Sequence, residues 1–582
     1  MKLDYKKTMY IGLAFLLISL FWITYDLVIT KILIDKFGLN QTWSGIVMAL
    51  DNVLALFLLP FFGGLSDKSK SKFGKRTPFI ILGTVLAAIA VFGLAIVDSR
   101  QSQSIQENTS ILEEYALYQA ERDILYDGIK TGDTLRIEDQ LRKQNLSIEA
   151  YDLAYVEWKV QFDQIISRWI TVQNPTIYAQ AVAHRDSGRW SVLRFTNWEL
   201  SVYEPMVELS TQSLNQGYLS QRAYLFWVDE IYHQVHDAKL SADAWQLTQS
   251  NPNTFIVFVG VLFLALISMS LFRSPAVALM PDVIVKPLRS KGNAVINLMG
   301  TIGGMIAILI LTILGLDNES FVDYSVAFLL NGIMMILLLA FFLWKVKELQ
   351  WTKEREIADK EYENVVEASN ETLDLSKQKL DKAKQNSLFL ILLSVFLWFI
   401  GYNAITTKLS DYAPKVLGLG FSMPLLIASG TALISFIPIG ILATKIGRRK
   451  SILMGIVLVV ISFGSVYFLN ETVGWFMYVI FAFTGVGWAA INVNSYPMVV
   501  ELTKGSDVGK YTGYYYAFSM SAQIITPIFS GMLMDEWGRK LLFPYGAFFV
   551  GLAFISMFFV KHGDAEVIKK GSILEQFDVE MD

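Results

Sequence analysis

The chain reads as an all-α membrane protein of about twelve transmembrane helices in two six-helix halves, interrupted by a helical extracellular insertion. Three observations carry that expectation. Hydrophobic residues make up 53% and charged residues 18% of the 582 residues, with a mean hydropathy of +0.42, a balance that soluble domains rarely reach. The apolar residues gather in runs long enough to cross hydrocarbon, which takes about 20 helical residues. A short basic loop between two apolar runs, opening Gly63-Gly64-Leu65-Ser66-Asp67-Lys68 and closing Phe73-Gly74-Lys75-Arg76-Thr77-Pro78, is echoed downstream by Gly440-Ile441-Leu442-Ala443-Thr444-Lys445-Ile446-Gly447-Arg448-Arg449-Lys450. The same loop at matching places in two halves marks a duplication.

The apolar runs fall at 9–34, 42–62, 78–97, 254–273, 292–315, 322–344, 387–407, 421–443, 451–469, 473–496, 510–533 and 541–560. Lipid offers no partner to backbone amides, so these runs must be helices. The basic clusters Lys2, Lys6 and Lys7, Lys68 to Arg76, Lys286 to Lys291, Lys345 to Lys384, Lys445 to Lys450, and Lys569 with Lys570 all fall on one side, and the short loop Asp317–Tyr324 on the other side carries acids only. The positive-inside rule then makes both termini cytoplasmic in a multi-pass plasma-membrane protein. The expected division is 1–97 (spans 1–3), 98–253 (extracellular insertion), 254–346 (spans 4–6), 347–386 (charged cytoplasmic linker), 387–562 (the C-terminal six-helix half) and 563–582 (cytoplasmic tail).

Residues 98–253 have the length of a domain. They hold Trp158, Trp169, Trp190, Trp198, Trp227 and Trp245, and their apolar residues recur at helical spacing, as in Ile111-Leu112, Tyr115 and Leu117-Tyr118. So many aromatics argue for a compact helical domain. It can capture oligosaccharide, shield an entrance, or bind a surface partner or glycan. The plainer reading is an accretion with the tryptophans in its own core.

Composition also excludes chemistry. There is no cysteine, hence no disulfide, thiolate metal site or cysteine nucleophile. The four histidines, His184, His233, His236 and His562, lie outside the apolar runs, and no Gly-Lys-Ser/Thr phosphate loop is present. No metal site, bound cofactor, enzymatic centre or nucleic-acid partner is expected. The expected partners are a small molecule, the lipids and a coupling ion.

An acid within a span costs about 2.5–3.5 kcal/mol on insertion scales and so requires a reason. Asp26 in span 1 and Asp51 in span 2 are equidistant from the turn at Gly38-Leu39 and therefore lie at matching depth. Two nearby carboxylates in low dielectric share a proton readily, which suits a proton carrier. Asn52 and Lys31 can support the anionic form, and a purely structural Asp26–Lys31 pair is the alternative. Arg273 is either a snorkelling anchor at the end of span 4 or, if the helix continues towards Asp282, a cavity partner that completes the proton-coupling set Asp26, Asp51 and Arg273.

These residues carry a resemblance. Asp67 four residues after Gly63, then Gly-Lys-Arg and Pro78, resembles the loop between spans 2 and 3 of the major facilitator superfamily. The longer Ser-Asp-Lys-x-x-Ser-Lys-Phe-Gly-Lys-Arg-x-Pro form is similar to the sucrose-transporter-like branch, close to the glycoside–pentoside–hexuronide cation symporters. Arg273-Ser274-Pro275-Ala276-Val277-Ala278-Leu279-Met280-Pro281-Asp282, Phe399-Ile400-Gly401-Tyr402-Asn403-Ala404-Ile405 and Gly487-Trp488-Ala489-Ala490-Ile491-Asn492-Val493-Asn494 agree with it. The resemblance covers the membrane part and not 98–253. It implies the major facilitator fold, sugar transport and cation coupling. Thr444 stands where an acid is expected after Gly440. Alignment on Pro60 puts Ala55 and Leu59 where sodium-coupled relatives carry two acids, so protons are the expected coupling ion.

A sugar site needs hydroxyl-matching amides and a flat aromatic face. The candidates are Asn52, Asn297 in span 5, Trp398, Tyr402 and Asn403 in span 7, Trp488 and Asn492 in span 10, and Tyr515, Ser519 and Gln523 on one face of span 11. Each aromatic can instead face lipid or pack. The C-terminal half shows no charged pocket, which favours a neutral substrate. Gly63, Asp67, Lys75 and Arg76 with Gly447, Arg448 and Arg449 are the expected cytoplasmic gate, with Asp67 capping a helix and bonding basic residues across the inner face. The expected activity is import of a glycoside, a disaccharide such as sucrose or maltose, by proton symport with alternating access. A proton-coupled exporter of amphipathic compounds and a transporter-derived surface sensor are the alternatives.

Overall fold

Among the described residues, long apolar runs with nowhere but themselves to place their backbone hydrogen bonds form twelve helices long and apolar enough to cross a membrane: Tyr5–Lys36, Gln41–Asp67, Thr77–Glu107, Pro252–Val283, Val295–Ile313, Ser325–Lys345, Lys382–Leu417, Ser422–Ile446, Arg448–Val466, Phe476–Val499, Gly513–Trp537 and Arg539–Phe558, numbered spans 1–12. The computed structural model describes residues 3–187, 191–216, 219–220, 232–285, 288–368, 381–471, 473–502 and 508–563. Trp190, Trp227, Lys286, Lys569, Lys570, linker residues 369–380 and the tail beyond 563 lie outside the described residues.

Several helices overrun their apolar cores. Span 3 continues to Glu107, span 4 to Val283 and span 7 to Leu417. Span 1 is α-helical to Thr24 and then takes two wide π turns, Tyr25–Ile29 and Ile32–Lys36. Each π turn rephases the side chains beyond it, a device that recurs at functional sites. The first carries Asp26; the second carries Asp35 and Lys36.

The two halves repeat one packing scheme. Span 1 lies along span 5 and span 2 along span 4, as span 7 lies along span 11 and span 8 along span 10. Two seams join the halves, span 2 on span 11 and span 5 on span 8, and exchanging the halves maps one seam onto the other. The end of the bundle where the chain leaves for residues 105–244 is called the insertion end. The opposite end carries the Gly63–Pro78 loop and is called the loop end.

Contacts divide the chain into two units, Met1–Ser104 with Trp245–Asp582, and Ile105–Ala244. Within the second, helices Thr109–Asp127, Arg136–Lys143, Ile148–Arg168, Asn174–Asp186 and Glu204–Gln216 surround a core of Tyr118, Leu125, Trp158, Phe162, Trp169 and Tyr232. Trp158 and Trp169 thus pack inside it. A small three-stranded sheet, unforeseen from helical spacing, pairs Ile129–Thr131 antiparallel with Thr134–Leu135 and parallel with Leu219–Ser220. Its strands are two or three residues long, too short to show period-2 alternation.

Candidate functional site

Spans 1, 2 and 4 bring Asp26, Asp51 and Arg273 together between the halves. Arg273 interacts electrostatically with both carboxylates and with Tyr516 of span 11, and Asp26 interacts with Asp51. Span 4 runs ten residues beyond Arg273, so the guanidinium lies along the helix and not at its end, 5.6 Å over the Trp22 ring. Asn52 Nδ2 donates to Asp51 Oδ1 at 2.7 Å. All three charged groups keep partial exposure although deep in the bundle, so they border reachable space. Lys31 does not pair with Asp26; it pairs with Asp35 at 3.2 Å, one turn on.

The C-terminal half offers an aromatic face. Tyr402 and Trp488 stack with ring centroids 3.6 Å apart and planes 4° from parallel, and Phe399 meets Trp488 edge-on at 5.6 Å. Asn492 Nδ2 donates to the Trp488 carbonyl at 3.2 Å. Asn403 Nδ2 is buried and makes no hydrogen bond. Asn297 is exposed on span 5, and Gln523 partly so on span 11.

Three expected lining residues turn elsewhere. Trp398 is fully buried in the helix core. Tyr515 shares a hydrogen bond of 2.9 Å with Ser495, and Ser519 donates to the Tyr516 carbonyl at 3.0 Å; both are buried. A stripe at i, i+4, i+8 drifts about 40° per step around a helix of 3.6 residues per turn. The side chain that reaches Arg273 is accordingly the neighbour Tyr516, 55% exposed.

At the loop end, Arg76 holds the motif together. It bonds Asp67 at 2.5 Å, Asp282 at 2.7 Å and Ser66 Oγ at 2.5 Å. Burial opposes its charge, but Asp282 and Asp67 outweigh that and hold its pKa above the ordinary value. The cap expected from Asp67 is made by Glu348 of the linker helix Glu348–Ala368: its carboxylate accepts from Arg76 N at 2.9 Å, Thr77 N at 2.8 Å and Thr77 Oγ1 at 2.7 Å. Gly63 brings span 2 against Ser274 of span 4, and Lys75 is exposed. Gly447, at φ +92°, turns the chain into span 9, which opens on Arg448. Arg449 donates to the Phe558 carbonyl within its own half. Asp67 therefore pairs inside the N-terminal half and not across to Arg448 or Arg449.

Between described residues, the hydrogen bonds and ion pairs that cross the halves gather at the insertion end. Asp35 meets Lys415 of span 7 at 2.8 Å; Lys415 also bonds Asp411 at 2.9 Å, and Arg539 bonds Asp411 at 2.7 Å. Gln41 Nε2 donates to Asp411 Oδ2 at 2.6 Å, and Lys408 Nζ donates to the Gln41 carbonyl at 2.9 Å. The C-terminal half thus does carry buried charge, contrary to the sequence expectation, and it is spent on the seam. Two helix starts are capped from the opposite half. Asp535 of span 11 accepts from Gln41 N at 2.9 Å and from Thr42 N and Oγ1 at 2.8 and 2.6 Å. Asp317, before span 6, accepts from Ser422 N at 3.3 Å at the start of span 8. A Cβ on Gly45 would lie 2.1 Å from the Pro527 carbonyl oxygen, and one on Gly531 would lie 2.4 Å from the Gln41 carbonyl oxygen, so spans 2 and 11 touch backbone to backbone.

The Major Facilitator Superfamily family matches residues 241–473 and 428–575, and the family MFS/sugar transport protein matches residues 10–117. The chain is similar to Sucrose transport protein SUC4 of Arabidopsis thaliana, 33% identical over 58 residues, and to Sucrose transport protein SUC3 of the same plant, 36% identical over 58 residues. Those stretches are 10% of this chain and span only 11% and 10% of the two relatives. Among solved structures, the inward open conformation of the xylose transporter XylE from E. coli has a TM-score of 0.52 at 14% identity, covering 98% of each chain. A D-xylose-proton symporter has a TM-score of 0.50 at 12% identity, covering 96% of this chain and 98% of that one. At such identities the likeness is one of fold.

Proposed function

The chain belongs to the Major Facilitator Superfamily, a multi-pass membrane transporter and not an enzyme, and from that premise we propose that it imports a neutral sugar or glycoside together with a proton. The observation that carries the reading is the presence of two unlike surfaces, one in each half: a carboxylate pair with one guanidinium on spans 1, 2 and 4, and a stacked Tyr402–Trp488 pair beside Asn403, whose amide nitrogen makes no hydrogen bond, on spans 7 and 10. The aromatic face suits the C–H face of a sugar ring, and the amides suit its hydroxyls. The relatives named for sucrose are consistent with that choice.

Charge arithmetic supplies the coupling. With both carboxylates ionised, Asp26, Asp51 and Arg273 sum to −1. Net charge in a closed, low-dielectric centre is expensive. One proton on the pair brings the sum to zero, so the loaded halves rock only with a proton aboard. In this reading the loop end is cytoplasmic, the insertion end and residues 98–253 are extracellular, and the cross-half contacts at the insertion end form the closed outer gate of an inward-facing state.

The test is uptake into proteoliposomes of labelled disaccharides and monosaccharides under an imposed pH gradient and, separately, an imposed sodium gradient. Wild type takes up sugar on the pH gradient. Asp51→Asn loses gradient-driven accumulation and keeps sugar exchange. Absence of uptake of every sugar tested, with protein shown to be folded, would refute the sugar assignment.

A further inference from the structure

The second π turn of span 1 ends in two adjacent charges that point to different neighbours. Asp35 reaches across to Lys415 in the other half at 2.8 Å. Lys36, the next residue, turns back into its own half and is gripped there. Its Nζ bonds Asp98 Oδ1 at 2.6 Å and Ser102 Oγ at 2.8 Å, and it lies 5.3 Å over the Tyr324 ring. Its carbonyl accepts from Gln101 Nε2 at 3.0 Å. Lys36 and Asp98 are 1% and 0% exposed. The other oxygen of Asp98 accepts from Tyr324 N at 2.7 Å. One residue on, the Phe37 carbonyl accepts from Thr248 Oγ1 at 3.1 Å.

Asp98, Gln101 and Ser102 lie where the chain departs for residues 105–244, and Thr248 lies where it returns. The departing stem therefore closes on Lys36 and the returning stem on the adjacent Phe37, beside the residue that reaches across the seam. Asp98 gains nothing from the seam itself, and neither Lys36 nor Asp98 touches the central site. The wide turn, closed by Phe37 N donating to the Ile32 carbonyl at 3.1 Å, shifts the phase of both residues relative to the helix before it.

We propose that the stems of the inserted unit hold the end of span 1 so that Asp35 is presented to Lys415, making Lys36, Asp98 and Thr248 positioning residues of the outer gate. These roots, both within the membrane unit, then set how firmly the gate closes. This rests on reading the insertion-end seam as that gate. Because the buried Lys36–Asp98 pair fixes orientation through charge and fit together, removing one partner leaves the other charge buried and alone, and the turn must shift to rehydrate it. Asp35 shifts with it.

The chain lacks cysteine, so one introduced thiol can report the gate. Ser44 is 0% exposed, one turn inside Gln41, and its hydroxyl makes no hydrogen bond, so Ser44→Cys is a mild replacement. The full-length reporter is reconstituted, a membrane-impermeant maleimide is added on the insertion side, and the labelling rate is measured. Asp35→Asn serves as the gate control. Asp98→Asn is expected to raise the labelling rate about tenfold, the change that a loss of about 1.4 kcal/mol in closing produces. Thr248→Val, a gentler change that keeps the buried charges paired, is expected to raise it about threefold, within the worth of one hydrogen bond. The pair Lys36→Met with Asp98→Leu, which restores packing without charge, is expected to return the rate towards the parent. Fast labelling with Asp35→Asn but parental labelling with both Asp98→Asn and Thr248→Val overturns the proposal and leaves the gate standing. Parental labelling with Asp35→Asn as well overturns the gate reading and the proposal with it.

Discussion

Replacing Gly45 with alanine adds one methyl group where spans 2 and 11 touch. The new Cβ would sit 2.1 Å from the Pro527 carbonyl oxygen and 3.0 Å from Ile528 N, both backbone atoms that no rotamer change can move. Ordinary contact starts at 3.4 Å, so the two helices must part by about 1.3 Å. That displacement, passed to the start of span 2, takes the Asp535 bonds to Gln41 N and Thr42 N, now 2.9 and 2.8 Å, beyond hydrogen-bonding reach. Bonds to a charged acceptor are worth about 1.5–3 kcal/mol each. Loss of two disfavours closure by about 3 kcal/mol or more, a population shift of roughly 150-fold. Trp43 and Trp537, 60% and 66% exposed on opposite halves of this end, are suitable sites for Trp43→Cys and Trp537→Cys spin labels. Pulsed EPR on the labelled pair should show one short distance in the parent and a longer population with Gly45→Ala, with sugar uptake reduced. An unchanged distance distribution together with full uptake would refute the reasoning.

Three other outcomes are expected. Trp488→Ala removes half of the stacked face and should raise the sugar KM about tenfold, as the loss of about 1.4 kcal/mol of aromatic contact implies, with kcat affected less; an unchanged KM would move the binding face elsewhere. Glu348→Ala removes the carboxylate that caps span 3 and should cost about 2 kcal/mol of stability, seen as a lower Tm of purified protein; an unaltered Tm would show the cap to be redundant. Burial between Tyr118, Trp169 and Tyr232 pushes the His236 imidazole below its ordinary range, against the pull of Glu121 and Glu114. The folded state therefore prefers neutral His236, so its contribution to stability is complete above about pH 6.5, the unfolded value, and is lost as pH falls below it. Acid titration of tryptophan fluorescence should show that loss, and His236→Phe should flatten it.

The membrane architecture was legible because hydrocarbon imposes length and helicity on any crossing segment. Asp26 and Asp51 were legible for a related reason: a charge among apolar residues asks for a partner, and equal distance from the turn at Gly38-Leu39 points each to the other. Arg273 was only half legible, since it reads equally as an anchor at the end of span 4 until the helix is seen to run on to Val283. The seam was not legible. Lys408, Asp411 and Lys415 follow the apolar part of span 7 and read as loop, whereas the helix carries them to Leu417. The direction in which Asp35 and Lys36 point is set by a π turn that shifts the phase of the helix, which a 3.6-residue pattern cannot reveal. Glu348 caps a helix start 271 residues away, and Asp535 caps one 494 residues away; neither has a local signature, since an N-cap is sought beside its helix. A sequence stripe does not tell Tyr515 from Tyr516, since one residue of rotation on a helix separates an exposed side chain from a buried one.

The crossed caps at the starts of spans 2 and 8 also make the gate a matter of water. A helix start has four amides without intrahelical partners, and here carboxylates of the opposite half, Asp535 and Asp317, serve some of them. When the halves part, those amides and both carboxylates must be hydrated, and when the halves meet that water must leave. Each opening therefore fills a vestibule and each closing empties it. Solutes excluded from so narrow a space favour the state that holds less water, so under the proposed gating role of this seam a rise in osmolarity at the insertion end should favour its closed state.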